Sequence, residues 1–370
     1  DKLFLKTLNS LEKKLSRNKF QSDKCFNEEE RLERLFEEYY IGLHKFEKSV
    51  PIRVKYTEYV ILTFFVTFLR KQRDKIIIQN YYNLEFTSPL IESVYESLDF
   101  EKLLKLLKEK KSEWLWLIEI YYYAFKTLQN VEDEAMFHKF QELFYENIEK
   151  FSRKEQYFIF NDFIAWLHTK DNKFGTLSAR EEFEIFKKML EHTAYSPSEK
   201  EFMSVLLYRN IMNMAISLEE YNWFENFVND FTEKLKPEFR ENMENLAKSN
   251  LYFERGRFED ALECLSKIPY DLFIYKVDIK NLMLRIYYEL ELYDAAFSMI
   301  NAFRNFLSTT DEISEVFKTQ QINFINFYNK LLKMKADNKP NDAGFIAKEI
   351  EKRDSVASKH WLIEKAKQLK

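Results

Sequence analysis

The chain has 370 residues, with 57 Lys and Arg against 61 Asp and Glu, a net charge of −4 and a pI of about 6.0. That balance excludes the broadly basic surface of a general nucleic-acid binder. Only 4 Gly and 6 Pro leave few of the turn-formers that β-hairpins need, while Lys, Glu, Leu and Phe dominate, so the composition points to an all-α protein. An aromatic share of 17% then reads as bulky packing between helices, not as a cofactor box.

Leu3, Leu5, Leu8, Leu11 and Leu15 fall at helical spacing and predict a first helix over 2–19. Asn27 followed by Glu28, Glu29 and Glu30 marks a second start, with acids on the positive end of the helix dipole. That helix is expected to run to about Lys48 and stop before Pro51. A third is expected over 54–74, then a helix extension and a loop across 76–90. Its Tyr59–Leu69 run is the most apolar of the chain. It is too short to cross a bilayer, which takes about 20 residues, and reads as a buried helix, with a membrane-surface segment as the alternative.

A short helix and its partner are expected over 89–111. Candidate hairpins follow at 114–128 with 132–151, and at 154–169 with 178–192. Ser178 with Glu181 and Glu182 has the pattern of a capping box. Tyr121, Tyr122 and Tyr123 point to different sides of one helix, so packing is their expected role. Residues 1–195 thus read as an N-terminal helical region of degenerate hairpins.

Residues 196–370 show a period. Leu251–Leu262 and Ile286–Phe297 fall in register at 35 residues, pairing Tyr252 with Tyr287, Phe258 with Tyr293 and Ala261 with Ala296. A hairpin over 198–217 and 221–235 joins the register less cleanly, Tyr221 lying 37 residues before Phe258. A degenerate further unit is expected at 314–335 with 342–353, and the segment 356–369, with Trp361, Ile363, Ala366 and Leu369, as a terminal cap. A fixed period in this range signals stacked helical hairpins.

These residues resemble the tetratricopeptide repeat family, whose pattern has an aromatic late in helix A, a turn Gly, an aromatic two residues on and an Ala early in helix B. Tyr252, Gly256, Phe258 and Ala261 fit it; the second copy reads Tyr287, Glu291, Tyr293 and Ala296, without the Gly. The resemblance covers residues 198–300 and implies a right-handed α-α superhelix of antiparallel hairpins whose A helices line a concave groove for a peptide or partner protein. The groove residues it implies are Arg209, Asn213 and Ile216, then Leu246, Asn250 and Phe253, then Asn281, Arg285 and Tyr288. Arg209, Arg285, Asn213 and Asn250 are the residue types of a clamp for a peptide's terminal carboxylate, since Arg offers a bidentate fork and Asn a further donor.

The local motifs searched for are missing. The 5 histidines lie at least 24 residues apart, and no His-Glu-x-x-His, Cys-x-x-Cys or Gly-x-Ser-x-Gly occurs. Four glycines cannot build a phosphate-cradling loop. Cys25 and Cys264 fit a reducing, cytoplasmic compartment, and Cys264 between Leu262 and Leu265 reads as a packed small hydrophobe. No metal, cofactor or catalytic group is therefore expected. The expected function is a non-enzymatic scaffold for a protein or peptide. A pentatricopeptide-like RNA binder is the alternative, opposed by 11 Lys and Arg against 18 Asp and Glu over residues 201–300, a local charge of −7. A self-assembling structural subunit is another, because so many aromatics need cover, and a cryptic enzyme would need a pocket with convergent titratable groups.

Overall fold

The computed structural model describes residues 2–22, 24, 26–82, 88–175, 178–269, 273–310, 314–338 and 342–369. It is all-helical, with 81% helix, and among the described residues there are 18 α-helices and no strand. The chain divides into two compact units, residues 1–214 and 215–370.

The N-terminal unit holds α1 (Lys2–Leu15), α2 (Asn27–Gly42), α3 (Phe46–Tyr82), α4 (Pro89–Ser97), α5 (Phe100–Glu109), α6 (Leu115–Gln129), α7 (Glu134–Asn147), α8 (Arg153–Phe174) and α9 (Ala179–Glu191), and most of α10 (Val205–Ser217). Its centre is α6, which reads apolar almost all round and is largely buried, including Tyr121 and Tyr122, with Glu119, Tyr123 and Lys126 forming one half-exposed stripe. Helices α3, α5, α7 and α8 pack against it. Aromatic rings fill the space between α7 and α8: Phe137 stacks on Trp166 at 3.7 Å, and Phe163 stands edge-on to Phe137 and Phe140. The N-terminal segment is pinned to the end of α7 by Phe20 N–H to Lys150 O (2.8 Å) and Ser152 N–H to Phe20 O (2.9 Å).

Helix ends here are built largely without glycine. Where a chain leaves a helix through a left-handed residue, the next N–H reaches back to the carbonyl five residues earlier. His44 (φ 55°), Lys111 (53°) and Thr193 (55°) take that conformation, closed by Lys45 to Tyr40, Ser112 to Leu107 and Ala194 to Met189 bonds of 2.8–2.9 Å. The His44 cap corrects the expected run from Asn27 to Lys48. The chain breaks at 43–45, and α3 then passes straight through Pro51. That Pro sits near the start of α3, where its missing N–H costs one intrahelical bond and no break. Ser178 Oγ accepts from Glu181 N–H at 3.2 Å, as the capping pattern predicted. Residues 83–87 of the loop expected within 76–90, and Cys25, lie outside the described residues.

His168 on α8 meets the buried Glu182 on α9 at 3.0 Å, and that hydrogen bond raises its pKa above the ordinary 6.5. A raised histidine contributes stability that is fully present below its unfolded pKa and lost as pH rises through its folded one. Denaturant midpoints from pH 6 to 8 should therefore fall with pH in the wild type and fall less in His168→Gln; parallel slopes would refute the coupling.

The C-terminal unit holds α11 (Tyr221–Phe231), α12 (Pro237–Glu254), α13 (Phe258–Ser266), α14 (Phe273–Glu289), α15 (Tyr293–Thr309), α16 (Glu315–Ala336), α17 (Ala343–Lys352) and α18 (Lys359–Gln368). Each packs chiefly on its neighbours in sequence, and α18 also on α16.

Candidate functional site

The 35-residue register has a matching geometry. Helices α12 and α14 end at Glu254 and Glu289, and α13 and α15 begin at Phe258 and Tyr293, each pair 35 residues apart. Ala261 and Ala296 are wholly buried at the same place in their hairpins, and Ser249 Oγ donates to Ala261 O at 2.8 Å across the first. The turns coincide as well. Glu219, Gly256 and Glu291 have φ of 59°, 71° and 56°, followed by N–H bonds from Glu220 to Ala215, Arg257 to Tyr252 and Leu292 to Tyr287 at 2.8–2.9 Å. The left-handed position is thus kept where its Gly is absent, at a steric cost of about 1–2 kcal/mol for an L side chain. Glu291→Gly should stabilise the C-terminal unit by about 1 kcal/mol and Gly256→Ala should destabilise it by a similar amount. Equal signs in urea titrations would contradict this.

Of the residues named from sequence, Arg209 (half-buried) and Asn213 (exposed) lie on α10 in the N-terminal unit. Ile216, half-buried, is also on α10, and the other six lie on α12 and α14 and are all largely buried. Asn250 turns its amide onto its own helix, donating to Leu246 O at 2.9 Å. Arg285 lays its guanidinium over the Phe253 ring, 4.6 Å from the centroid, and faces Glu254 at 3.8 Å. Burial disfavours the Arg285 charge, with Glu254 opposing that shift, and burial likewise raises Glu254 against Arg285 and a hydrogen bond from Tyr221. The Asn250 amide is thus engaged within its own helix, while Arg285 faces Glu254 at 3.8 Å and its buried Nε has no hydrogen-bond partner among the described residues.

Asn281 and Tyr288 meet α16 and the C-terminal helix. Asn281 donates to Gln321 Oε1 at 3.3 Å and accepts from Ser358 Oγ at 2.8 Å. Tyr288 packs against Trp361 (5.3 Å) and Tyr328 (6.0 Å), with Lys335 over its ring at 4.6 Å. Trp361 Nε1 donates to Glu289 at 3.1 Å, and Lys365 one turn further pairs with the same carboxylate at 2.9 Å. So α18 lies on the face where the resemblance puts a ligand. It buries Trp361, Leu362, Lys365 and Ala366, one stripe of an amphipathic helix, while Ile363 is half-exposed. The sequence reading gave α18 only a covering role; the Trp361 and Lys365 pair at i, i+4 was the available signal.

A second polar cluster was not anticipated. In the N-terminal unit Arg73 meets Asp162 at 2.7 Å and Asp74 at 3.0 Å. Glu155 accepts from Tyr121 Oη (2.5 Å) and from Ser22 N–H and Oγ (2.9 Å each). Ser22, Arg73, Asp74, Glu155 and Asp162 line a cavity of about 560 Å3. Burial pushes Asp162 up to about 6 despite Arg73 beside it. Their partners are far apart in sequence, so no local pattern could announce them.

No family model, curated protein or solved structure matches the chain. Among the described residues no three His, Cys, Asp or Glu side chains are grouped to hold a metal ion, and no helix is long and apolar enough to cross a membrane.

Proposed function

We propose that the protein is a non-enzymatic interaction scaffold whose C-terminal unit is a tetratricopeptide-like superhelix, and that its A-helix face binds an amphipathic helical segment of a protein partner. One observation carries the reading: α18 already sits on α14 and α16 as such a segment would, with a Trp anchor on Tyr288 and Tyr328 and a Lys paired to Glu289. Helix-in-groove recognition lays the apolar face of an amphipathic helix into a groove, and here Trp361, Leu362 and Ala366 form that face with the charged Lys365 among them. On this reading Asn281, Arg285 and Tyr288 form the floor, and α18 holds the place of the ligand. The local charge of −7 over residues 201–300 favours a basic-flanked peptide over RNA. In the Arg73–Asp162 cluster the acids Asp162, Asp74 and Glu155 are all committed to partners, which favours a structural tie over a reaction site.

Crosslinked affinity capture with the full chain tests this. A dominant partner protein, recovered in greater yield with Trp361→Ala than with the wild type, is expected. Enriched RNA in its place, or recovery of the bait alone, would contradict the proposal.

A further inference from the structure

Helix α3 has two apolar faces. Tyr59, Leu62, Val66 and Leu69 are buried in the core of the N-terminal unit. About 150° around the helix, at 100° per residue, Phe46, Val50, Val54, Ile61 and Phe64 are 46–59% exposed, with Val60 beside them at 42%. Scattered exposed apolar residues are ordinary, but a continuous row marks an interaction surface. Val50, Val54, Thr57, Ile61, Phe64 and Phe68 follow one another at steps of 4, 3, 4, 3 and 4. That is the alternation of a coiled-coil seam, here about 27 Å long. Pro51 lies before most of this seam and leaves it on continuous helix.

We propose that this face is the interface of a parallel homodimer, with α3 of a second copy of the chain laid along it. Three features of the seam select that occupant. Val54 and Ile61, with Phe68, fall at the a positions and Val50, Thr57 and Phe64 at d, and β-branched a residues are accommodated by two parallel strands. In a parallel pair each g residue faces the e residue five further along the second copy, so Arg53 meets Glu58, and charge finds opposite charge; Val60 faces the edge of Phe65, whose ring also packs on Phe100. Glu58 is exposed and has no ion pair among the described residues, and Arg53, paired to Glu37, is still 67% exposed. Running the second helix the other way with the same layers aligned would set Glu58 against Glu58. The area also suffices. The exposed seam residues and their flanks, Phe46, Val50, Val54, Val60, Ile61 and Phe64, each leaving on the order of 90 Å2 open for residues of roughly 150–200 Å2, give about 1,000 Å2 from two copies, the threshold for a specific interface.

Sedimentation equilibrium of the full chain at tens of micromolar tests the proposal. The wild type should have twice the 45.2 kDa mass of one chain. Ile61→Glu should keep its helical circular dichroism and raise the dissociation constant by at least about thirtyfold, the effect of an interface hot spot. Arg53→Glu should weaken the dimer, and Arg53→Glu with Glu58→Arg should restore it. Ile61→Cys should give a crosslinked dimer on mild oxidation. A monomeric wild type, including one that instead sediments with phosphatidylserine vesicles, would overturn the proposal. A dimer unmoved by Ile61→Glu, an unrestored charge swap or an absent crosslink would also overturn it.

Discussion

Arg73→Met is expected to destabilise the N-terminal unit by about 3–5 kcal/mol, because it strands the Asp162 carboxylate in the interior. Asp162 is 7% exposed and has Glu155 and Asp74 as acidic neighbours, and the cavity's other cation, Arg70, is hydrogen-bonded to Ser22 Oγ, so the guanidinium at 2.7 Å is its direct counter-charge. For a unit of this size that corresponds to a fall of about 6–20 °C in its thermal midpoint. The sign of the pH dependence follows from the carboxyl. Burial holds Asp162 up at about 6, above its ordinary 3.8, so its folded form favours the proton. Such an acid loses stability as pH rises from the unfolded value through the folded one. Removing Arg73 raises the folded value further, so the deficit of Arg73→Met should be largest at neutral pH and shrink as pH falls toward 4. Arg73→Met with Asp162→Leu should recover most of the loss, since a buried ion pair replaced by packed apolar groups is often neutral. A double variant as unstable as Arg73→Met alone would mean that the cluster does more than tie α3 to α8.

Trp361→Ala should cost about 3–5 kcal/mol, the range for a buried Trp. The ring is 8% exposed, stacks on Tyr328 at 6.1 Å and donates to Glu289 at 3.1 Å. The loss should be local. Hydrogen exchange should accelerate through residues 359–368 and around Tyr288, while the α12–α13 hairpin, held by Ser249 to Ala261, keeps its protection. Uniform loss of protection across the C-terminal unit would show that α18 belongs to its folding core and not to a docked segment.

The helices were largely legible because apolar residues recur at 3.6, and because Ser178 and the acids of 28–30 mark their starts. Their ends were less so. Left-handed caps at His44, Glu219 and Glu291 carry no Gly, so the usual stop signal was absent, while Pro51 gave a stop signal inside α3. The nine residues named for the groove came from a register. A register places a side chain on a face but not what covers that face. For Asn281 and Tyr288 the cover is Ser358 and Trp361, 77 and 73 residues away. The second apolar stripe of α3 was hidden for a related reason. With apolar residues on opposite sides, the Tyr59–Leu69 run reads simply as a buried helix, and only the fold shows that one side has no neighbour.

Whether the A-helix face accepts an amphipathic helix is measured most directly by fluorescence anisotropy of a labelled peptide of residues 355–369, titrated with the full chain. The peptide should bind the Trp361→Ala, Lys365→Ala double variant, whose own helix is loosened, and the wild type far more weakly. Binding should vanish when Tyr288→Ala is added to the double variant. No binding to the loosened chain, or binding that ignores Tyr288, would contradict the account.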